Sequence, residues 1–293
     1  MNITTPMYKL SVIIPIYPNL DYLDRALNSL RKQNVIIKET ICVLDGFRSA
    51  FKEDKIKSEY KDLNVQFFYH QTNQSALQSR LTGCDYITGD VVAFLDKDDE
   101  LEEGVYCRAL IEMINHNADI VGFNMSHRDV GFNGICENNL ECVWNYHHKL
   151  KHGFCNLVPY IFKADLVKKG LNDLNLSKDL YLNYSEDALF LMAFMCNANV
   201  IVENYNLGKY IYHRDNEEST TYKMRKDKNL RDLRRNDLQT IRRLSLEYLS
   251  KKRITKADLE YKENRFGVPD KGLKPIFLEI YNKRLVSLNI EKE

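Results

Sequence analysis

The sequence predicts an α/β fold with a mostly parallel central sheet flanked by helices. Short apolar runs rich in β-branched residues alternate with stretches whose leucines recur at helical spacing. This alternation is typical of right-handed crossovers between parallel strands. In addition, a fully apolar run at 91–95 stops abruptly at Asp96, Lys97, Asp98 and Asp99. Polar side chains at strand ends are expected at the carboxyl edge of such a sheet, where open α/β folds bind ligands.

The first hundred residues contain four predicted strands separated by helices. The strands are expected at 10–16, 39–44, 64–69 and 91–95. Pro15 is expected to end the first strand, because proline cannot donate to a sheet ladder. Leucines 20, 23, 27 and 30 predict an amphipathic helix over 21–33, and a second helix is predicted over 75–88.

The second half of the chain continues the same pattern less regularly. Helices are predicted at 102–115 and 186–197, strands at 118–125, 200–203 and 209–213, and a strand running into a helix at 160–169. The composition changes near Thr221. The stretch 223–256 carries 13 Lys and Arg against 4 Asp and Glu, a local charge of +9, so the rest of the chain sums to −8.

The bulk composition narrows the class of protein. A net charge of +1 excludes a general polyanion binder, so no nucleic-acid partner is expected. No apolar run approaches the roughly 20 residues of a membrane span, and residues 1–10 lack the apolar core of a secretory signal. The 7 cysteines are dispersed without a C-x-x-C pair and read as reduced thiols. These features predict a cytoplasmic location.

The acidic run after the fourth strand has two interpretations. Clustered carboxylates repel one another unless a cation lies among them. Hard oxygen ligands combined with the phosphates of a nucleotide suit Mg²⁺ or Mn²⁺. The alternative is a solvated acidic turn before the next helix.

Further polar residues are expected at the same edge of the sheet. Tyr17 follows the first strand and Asp45 ends the second. Arg80 lies on the helix predicted over 75–88, between the third and fourth strands. A carboxylate such as Asp45 can accept the imide N–H of uracil, and Arg80 can pair with a diphosphate. A nucleotide site is therefore predicted. The chain has neither a G-x-G-x-x-G nor a P-loop motif, which disfavours dinucleotide and P-loop chemistry.

Two later features add candidate chemistry. Glu186 and Asp187 stand at a predicted helix start, where acidic residues also stabilise the helix dipole. One of them could instead project into the cleft as a general base. His213, at the end of a predicted strand, could be a metal ligand, although a lone histidine is more often a satisfied structural residue.

The order of these elements resembles glycosyltransferase family 2. The segments that carry the resemblance are SVIIPIYPNLDYLDRALNSL, ICVLDGF, NQSALQSRLTG, ITGDVVAFLDKDDEL and YSEDALF, over about residues 8–222. The resemblance implies a GT-A fold, a Rossmann-like sheet with flanking helices. Residues 1–221 would form that domain, with 1–99 as its nucleotide-binding half and 100–221 as its acceptor half. Residues 222–293 would be a basic helical C-terminal extension.

The resemblance also assigns roles by position. Pro15, Tyr17 and Asp45 match residues that hold the base, and Arg80 matches an arginine near the base and diphosphate. Asp96, with Lys97 beside it, matches the acid near the ribose and donor sugar. The remaining roles fall on Asp98 as the metal-binding acid, Asp187 as catalytic base supported by Glu186, and His213 as a further metal ligand.

The function expected from these roles is metal-dependent, inverting transfer of a sugar from a UDP-sugar. The acceptor would be a hydroxyl of a glycan or lipid-linked molecule in bacterial capsule, lipopolysaccharide or glycolipid synthesis, with Mn²⁺ or Mg²⁺ as cofactor. A sugar-nucleotide nucleotidyltransferase or a non-catalytic nucleotide-sugar or glycan-binding module are alternatives. The basic C-terminal helix either contacts the inner face of the cell membrane or packs as an ordinary helix with solvated charges.

Overall fold

The computed structural model describes residues 8–126, 133–137, 139, 142, 156–219, 222–223 and 226–252. Its strands are β1 Leu10–Ile16, β2 Ile37–Asp45, β3 Val65–His70, β4 Val91–Phe94, β5 Glu100–Leu101, β6 Ile120–Gly122, β7 Asn124–Met125, β8 Gly134–Cys136, β9 Tyr160–Lys163, β10 Ile201–Glu203 and β11 Lys209–Ile211. Its helices are α1 Leu23–Arg31, α2 Ala50–Glu59, α3 Ala76–Asp85, α4 Val105–Asn115, α5 Ala164–Leu174, α6 Asp187–Met195 and α7 Lys228–Lys251.

An eight-stranded sheet in the order β3-β2-β1-β4-β9-β6-β10-β8 forms the centre of the molecule. The pairs among β1, β2, β3 and β4 are parallel, as is β6 with β10, while β9 and β8 run antiparallel to their neighbours. The predicted α/β class with a mostly parallel sheet is confirmed. The carboxyl ends of β1, β2 and β4 consequently meet at one edge.

A second, three-stranded sheet in the order β5-β11-β7 lies beside that edge. It forms because the stretch predicted as one strand over 118–125 is two short strands, β6 in the large sheet and β7 in the small one. Phe123 between them donates its N–H to Pro159 O at 2.9 Å. The small sheet brings β11 next to β5, directly after the acidic run.

One local prediction was wrong, and one helix was not predicted. Pro15 does not end β1 but lies within it, opposite Val43 of β2. Ile13 O accepts from Leu95 N, so the missing N–H of Pro15 faces the side on which β4 has already ended, and no ladder bond is lost. Helix α2 was not predicted, because only two of its residues, Glu53 and Ile56, are buried and the apolar periodicity is therefore weak.

The core consists of the sheet and the helices that cover it. Leu10, Ile13, Val92 and Phe94 in the sheet are fully buried. Helix α6 is buried from Ala188 to Met195, with every residue in that stretch enclosed. Such an all-apolar helix is expected where neighbouring elements cover it on every side.

The basic helix α7 supplies part of that cover. Its Ile241, Tyr248 and Leu249 are buried. Asn197, just after α6, donates to the Tyr248 hydroxyl at 2.7 Å. Within the described residues, no helix has the length and apolarity needed to cross a membrane. The second helical piece expected near 273–287 lies outside the described residues, and the division of the chain at residue 221 stays a prediction.

Candidate active site

A buried ion cluster centred on Arg80 lies at the carboxyl edge of the large sheet. Arg80 projects from α3 and is 5% exposed. Its guanidinium donates to Glu186 Oε1 in a short contact and to Asp96 Oδ1 at 2.9 Å, and it lies 3.7 Å from Asp187 Oδ1. The structure thus brings together four of the predicted site residues from three separate segments of the chain.

Two of the three acids around the Arg80 guanidinium have raised pKa values. Burial raises the pKa of Glu186 to about 7, although Arg80 opposes the shift. Burial likewise raises the pKa of Asp96 to about 6. The pKa of Arg80 is raised by its acidic neighbours despite its burial, so the guanidinium stays charged.

Asp187 is the acid of the cluster with a free oxygen. It is the first residue of α6, and its Oδ2 accepts from Leu157 N at 3.2 Å. Its Oδ1 is buried and has no hydrogen-bond partner among the described residues. The preceding Ser185 has a left-handed backbone with φ of +61°. A buried carboxylate oxygen without a donor is costly in a folded protein unless a ligand group reaches it.

The side-chain carboxylates of Asp98 and Asp99 accept from donors that carry no positive charge. Asp99, buried, accepts from the Tyr210 hydroxyl at 2.7 Å and from His213 N at 2.8 Å. Asp98 Oδ2 accepts from the Asn216 side chain at 2.7 Å. Arg25 reaches only the backbone oxygen of Asp98, at 2.8 Å. Burial, with Asp96 adding to it, raises the pKa of Asp99 to about 8.

The predicted metal ligands give a partial fit to a cation. Asp98 and its acidic neighbours are hard oxygen donors of the kind that Mg²⁺ and Mn²⁺ prefer. The ring of His213, however, pairs with Glu100 Oε1 at 2.8 Å through Nε2. Among the described residues no three His, Cys, Asp or Glu side chains form a complete metal cage. The residues fit a cation shared between one or two carboxylates and a diphosphate better than one held by protein alone.

Asp45 holds the loop that leads into α3. It is buried, and it accepts from Gln74 N at 2.7 Å and Ser75 N at 3.0 Å, while His70 Nδ1 lies 2.8 Å from Oδ1. These contacts fix the start of the helix that carries Arg80. The predicted contact of Asp45 with a base stays a prediction.

The other predicted nucleotide-binding residues lie at the same edge. Pro15 is near the end of β1, and Tyr17 directly after it is 51% exposed. Lys97 is buried, and its Nζ donates to the backbone oxygen of Asn19 at 3.0 Å and to its side chain at 2.9 Å. Lys97 therefore joins the acidic run to the β1–α1 loop. The roles of all three in binding a nucleotide sugar stay predictions.

Sequence reasoning missed the residues that surround the acidic run. Arg25, Tyr210 and Asn216 all contact it from distant positions in the chain. Arg25 also forms a two-pronged ion pair with Asp215, at 2.6 and 3.0 Å. No local motif marks these residues, since each looks like an ordinary helix, strand or loop residue until the fold places it.

Comparison with known proteins places this geometry in a family. The sequence model of "Glycosyl transferase family 2" matches residues 11–160, about half of the chain. Glycosyltransferase GlyA of Streptococcus pneumoniae is 26% identical over 69% of this chain, and the match spans 30% of GlyA. Poly(ribitol-phosphate) beta-N-acetylglucosaminyltransferase TarS of Staphylococcus aureus is 27% identical over 67% of this chain and 34% of TarS. The chain thus matches only about a third of either relative.

Solved structures show the same fold. The crystal structure of S. aureus TarS 1–349 in complex with UDP superposes with a TM-score of 0.63 at 21% identity, covering 89% of this chain and 72% of that one. A mannosyltransferase from Pyrobaculum calidifontis, in complex with GDP-Man and Mn²⁺, gives a TM-score of 0.53 at 12% identity, covering 97% and 82%. The strand order, the acidic run and the matched 150-residue segment lead to one conclusion: the chain belongs to glycosyl transferase family 2.

Proposed function

We propose that this protein transfers a sugar from a UDP-sugar to a hydroxyl group, with inversion at the anomeric carbon. The observation that carries the proposal is the Asp187 carboxylate, whose Oδ1 is buried without a donor beside the Arg80 cluster. A general base needs such a free acceptor within reach of an incoming hydroxyl. The crystal structures of S. aureus TarS 1–349 in complex with UDP and with UDP-GlcNAc support the donor class.

In the proposed reaction, Asp187 takes the proton from the acceptor hydroxyl. The oxygen then attacks the anomeric carbon on the face opposite the diphosphate, and the bond from that carbon to the diphosphate oxygen breaks. The bonding electrons leave with UDP, and the proton remains on Asp187. Arg80 fixes Asp187 and Glu186 in position, because its guanidinium contacts both acids.

The charge that develops on UDP needs compensation on the other side of the site. Asp98 would hold Mn²⁺ or Mg²⁺ against the diphosphate, where the cation supplies electrostatic stabilisation when bound. The Asp98 carboxylate is half-buried and oriented by Asn216. Asp99 lies buried beside it.

The acceptor is proposed to be a glycan or lipid-linked molecule of a bacterial surface polymer. GalNAc(5)-diNAcBac-PP-undecaprenol beta-1,3-glucosyltransferase of Campylobacter jejuni, 31% identical over 33% of this chain and 32% of its own length, supports that acceptor class. Attraction of α7 to an anionic membrane is a further part of the proposal. Arg234, Arg235 and Arg243 are exposed on this helix, although Arg235 pairs with Asp232 and Arg243 with Glu247.

The decisive experiment tests wild-type protein against a panel of UDP- and GDP-sugars with Mn²⁺ or Mg²⁺, using thermal shift and product detection. Stabilisation by one donor, lost with chelator or with Asp98→Ala but kept with the exposed control Asp85→Ala, is the expected result. Exchange of labelled pyrophosphate into the sugar nucleotide would instead indicate a nucleotidyltransferase. An absence of metal-dependent binding to every donor would reject the proposal.

Membrane contact is tested separately by flotation with vesicles containing anionic lipid. Reversing the charges of Arg234, Arg235 and Arg243 to Glu leaves the buried face of α7 intact and is preferable to truncation, because α7 packs on α6. Loss of flotation with folding retained is expected. Equal flotation of wild type and variant would contradict a role for this face.

A further inference from the structure

Asp237 on helix α7 contacts the backbone of the segment that precedes Glu186 and Asp187. Asp237 is partly buried, and its Oδ2 accepts from two consecutive backbone amides, Asn183 N at 3.0 Å and Tyr184 N at 3.1 Å. Burial raises the pKa of Asp237, and the two amides oppose that shift. A carboxylate that accepts two backbone N–H groups is a strong, directional anchor.

The segment held by Asp237 leads directly into the catalytic acids. Ser185, the next residue, has a left-handed backbone with φ of +61°, and Glu186 and Asp187 follow. A non-glycine residue in this region is strained and persists only where its surroundings enforce it. The two amide contacts fix the chain just before this residue, and so fix the direction in which Glu186 and Asp187 leave it.

The same segment is also joined to the helix that carries Arg80. The side-chain oxygen of Asn183 accepts from Ala76 N, at the start of α3, at 3.0 Å. Four residues later Arg80 donates back to Glu186. Asp237, Asn183, α3 and Arg80 therefore form a closed set of contacts around the Glu186–Asp187 turn.

The C-terminal end of α7 is held by hydrogen bonds and an ion pair to neighbouring elements. Tyr248 is buried and its hydroxyl accepts from Asn197, at the end of α6. Lys252 donates to Asn197 Oδ1 at 2.8 Å and to Asp173 of α5 at 2.5 Å. With its far end tied to α5 and α6, α7 presents Asp237 at a fixed place.

We propose that Asp237 is a positioning residue for the catalytic base, and that α7 is in this way part of the catalytic machinery. The inference rests on the proposed function. Asp237 is proposed to contact neither the sugar donor nor the acceptor. It acts through the amides of Asn183 and Tyr184, which set the backbone from which Asp187 projects.

The test compares Asp237→Leu with Asp232→Leu in the full-length protein. Asp232 lies on the same helix, is 51% exposed in its side chain and pairs only with Arg235 among the described contacts. Displacement of the base by about 1 Å predicts a fall in kcat of about 10- to 100-fold with the donor KM unchanged. The control is expected to keep both constants.

A second measurement tests the contact between Asp237 and the two backbone amides independently of enzymatic activity. Hydrogen exchange of the amides of Asn183 and Tyr184 is expected to accelerate in Asp237→Leu and to stay unchanged in Asp232→Leu. Asp237→Asn keeps a neutral acceptor in the same shape and should give intermediate kcat and intermediate exchange, because bonds to a charged acceptor are about twice as strong.

Each result decides the inference. A wild-type kcat in Asp237→Leu, or a raised KM with kcat unchanged, would overturn it. If Asp237→Leu does not fold, the Asn variant carries the test, and wild-type amide exchange there would overturn it. A wild-type protein that transfers no sugar would reject the proposed function, while the exchange data would still report whether Asp237 holds the segment.

Discussion

Two groups of carboxylates at the edge of the sheet differ in the source of their counter-charge. Glu186 and Asp187 surround the buried guanidinium of Arg80, which the protein itself supplies. Asp98 and Asp99 receive an amide, a hydroxyl and a backbone N–H, and within the described residues no Lys or Arg side chain forms an ion pair with either carboxylate.

The difference separates a preassembled part of the site from an incomplete one. A cluster whose cation is supplied by the protein keeps its geometry before any ligand arrives, which suits a base that must be oriented in advance. Carboxylates that no Lys or Arg side chain neutralises favour the binding of a metal cation. Phosphate oxygens of a nucleotide would complete the coordination of that cation. Asp96 joins the two groups, since it accepts from Arg80 and stands at the head of the acidic run.

The largest effect is expected from removing the base in the preassembled group. Asp187→Asn should reduce kcat by about 10²- to 10⁴-fold, the usual contribution of general base catalysis. Donor binding measured by titration calorimetry should remain, because the acidic run is unchanged. The exposed Asp165→Asn on α5 is the matched control. Unaltered transfer in Asp187→Asn would assign the base to another residue.

Removing the cation of the same group should mainly affect stability. Arg80→Gln removes the counter-charge of the buried Glu186 and of the partly exposed Asp96, and breaking a buried pair costs about 3–5 kcal/mol in the free energy of unfolding. Denaturant titration at neutral pH measures this loss. Arg31→Gln, at the exposed pair with Asp62, should cost about 1 kcal/mol or less. Equal losses in both variants would show that the cluster is not preassembled.

The paired cluster should also give the protein a characteristic pH dependence. The pKa of Glu186 is raised from 4.5 to about 7, so the folded state keeps a proton that the unfolded chain releases. Stability should therefore fall as pH rises from about 4.5 to about 7, by at most about 3 kcal/mol. Glu186→Gln should flatten that slope, whereas the exposed Glu103→Gln should not. An unchanged slope in Glu186→Gln would contradict the assignment.

The smallest effect is expected in the incomplete group. Asn216→Ala removes the amide that orients Asp98, and loss of such an outer contact typically weakens metal binding about 10- to 100-fold. Isothermal titration with Mn²⁺ in the presence of UDP measures it, with Asn206→Ala in the β10–β11 connection as the control. Metal affinity equal to wild type would leave Asn216 as a purely structural contact.

Much of the fold was predictable because most of its strands are marked by patterns in contiguous residues. The runs that became β1 and β4 are almost entirely apolar and buried, and β2 has a buried apolar stretch at 41–44, as expected for strands covered on both faces. Weaker local patterns failed. Helix α2 buries only Glu53 and Ile56, and the split of 118–125 into β6 and β7 depends on a second sheet that no local pattern announces.

The candidate site divides in the same way. Arg80, Asp96, Glu186 and Asp187 were singled out from their segments, and the structure brings them into contact. The ring of His213 pairs with Glu100, and its role as a metal ligand stays a prediction. Asn216 and Asp237 had no distinguishing motif, because their role comes from neighbours 118 and about 54 positions away in the chain.

The α/β class, the edge at which polar residues gather and the family could be inferred from the amino-acid sequence alone, because hydrophobic periodicity and strand-end chemistry lie in contiguous residues. The folded structure was needed to show which acids share Arg80, which have no Lys or Arg partner among the described residues, and that α7 reaches the segment before Glu186 through Asp237. These features are contacts between distant segments, and their energies depend on burial and charge balance that no single segment contains.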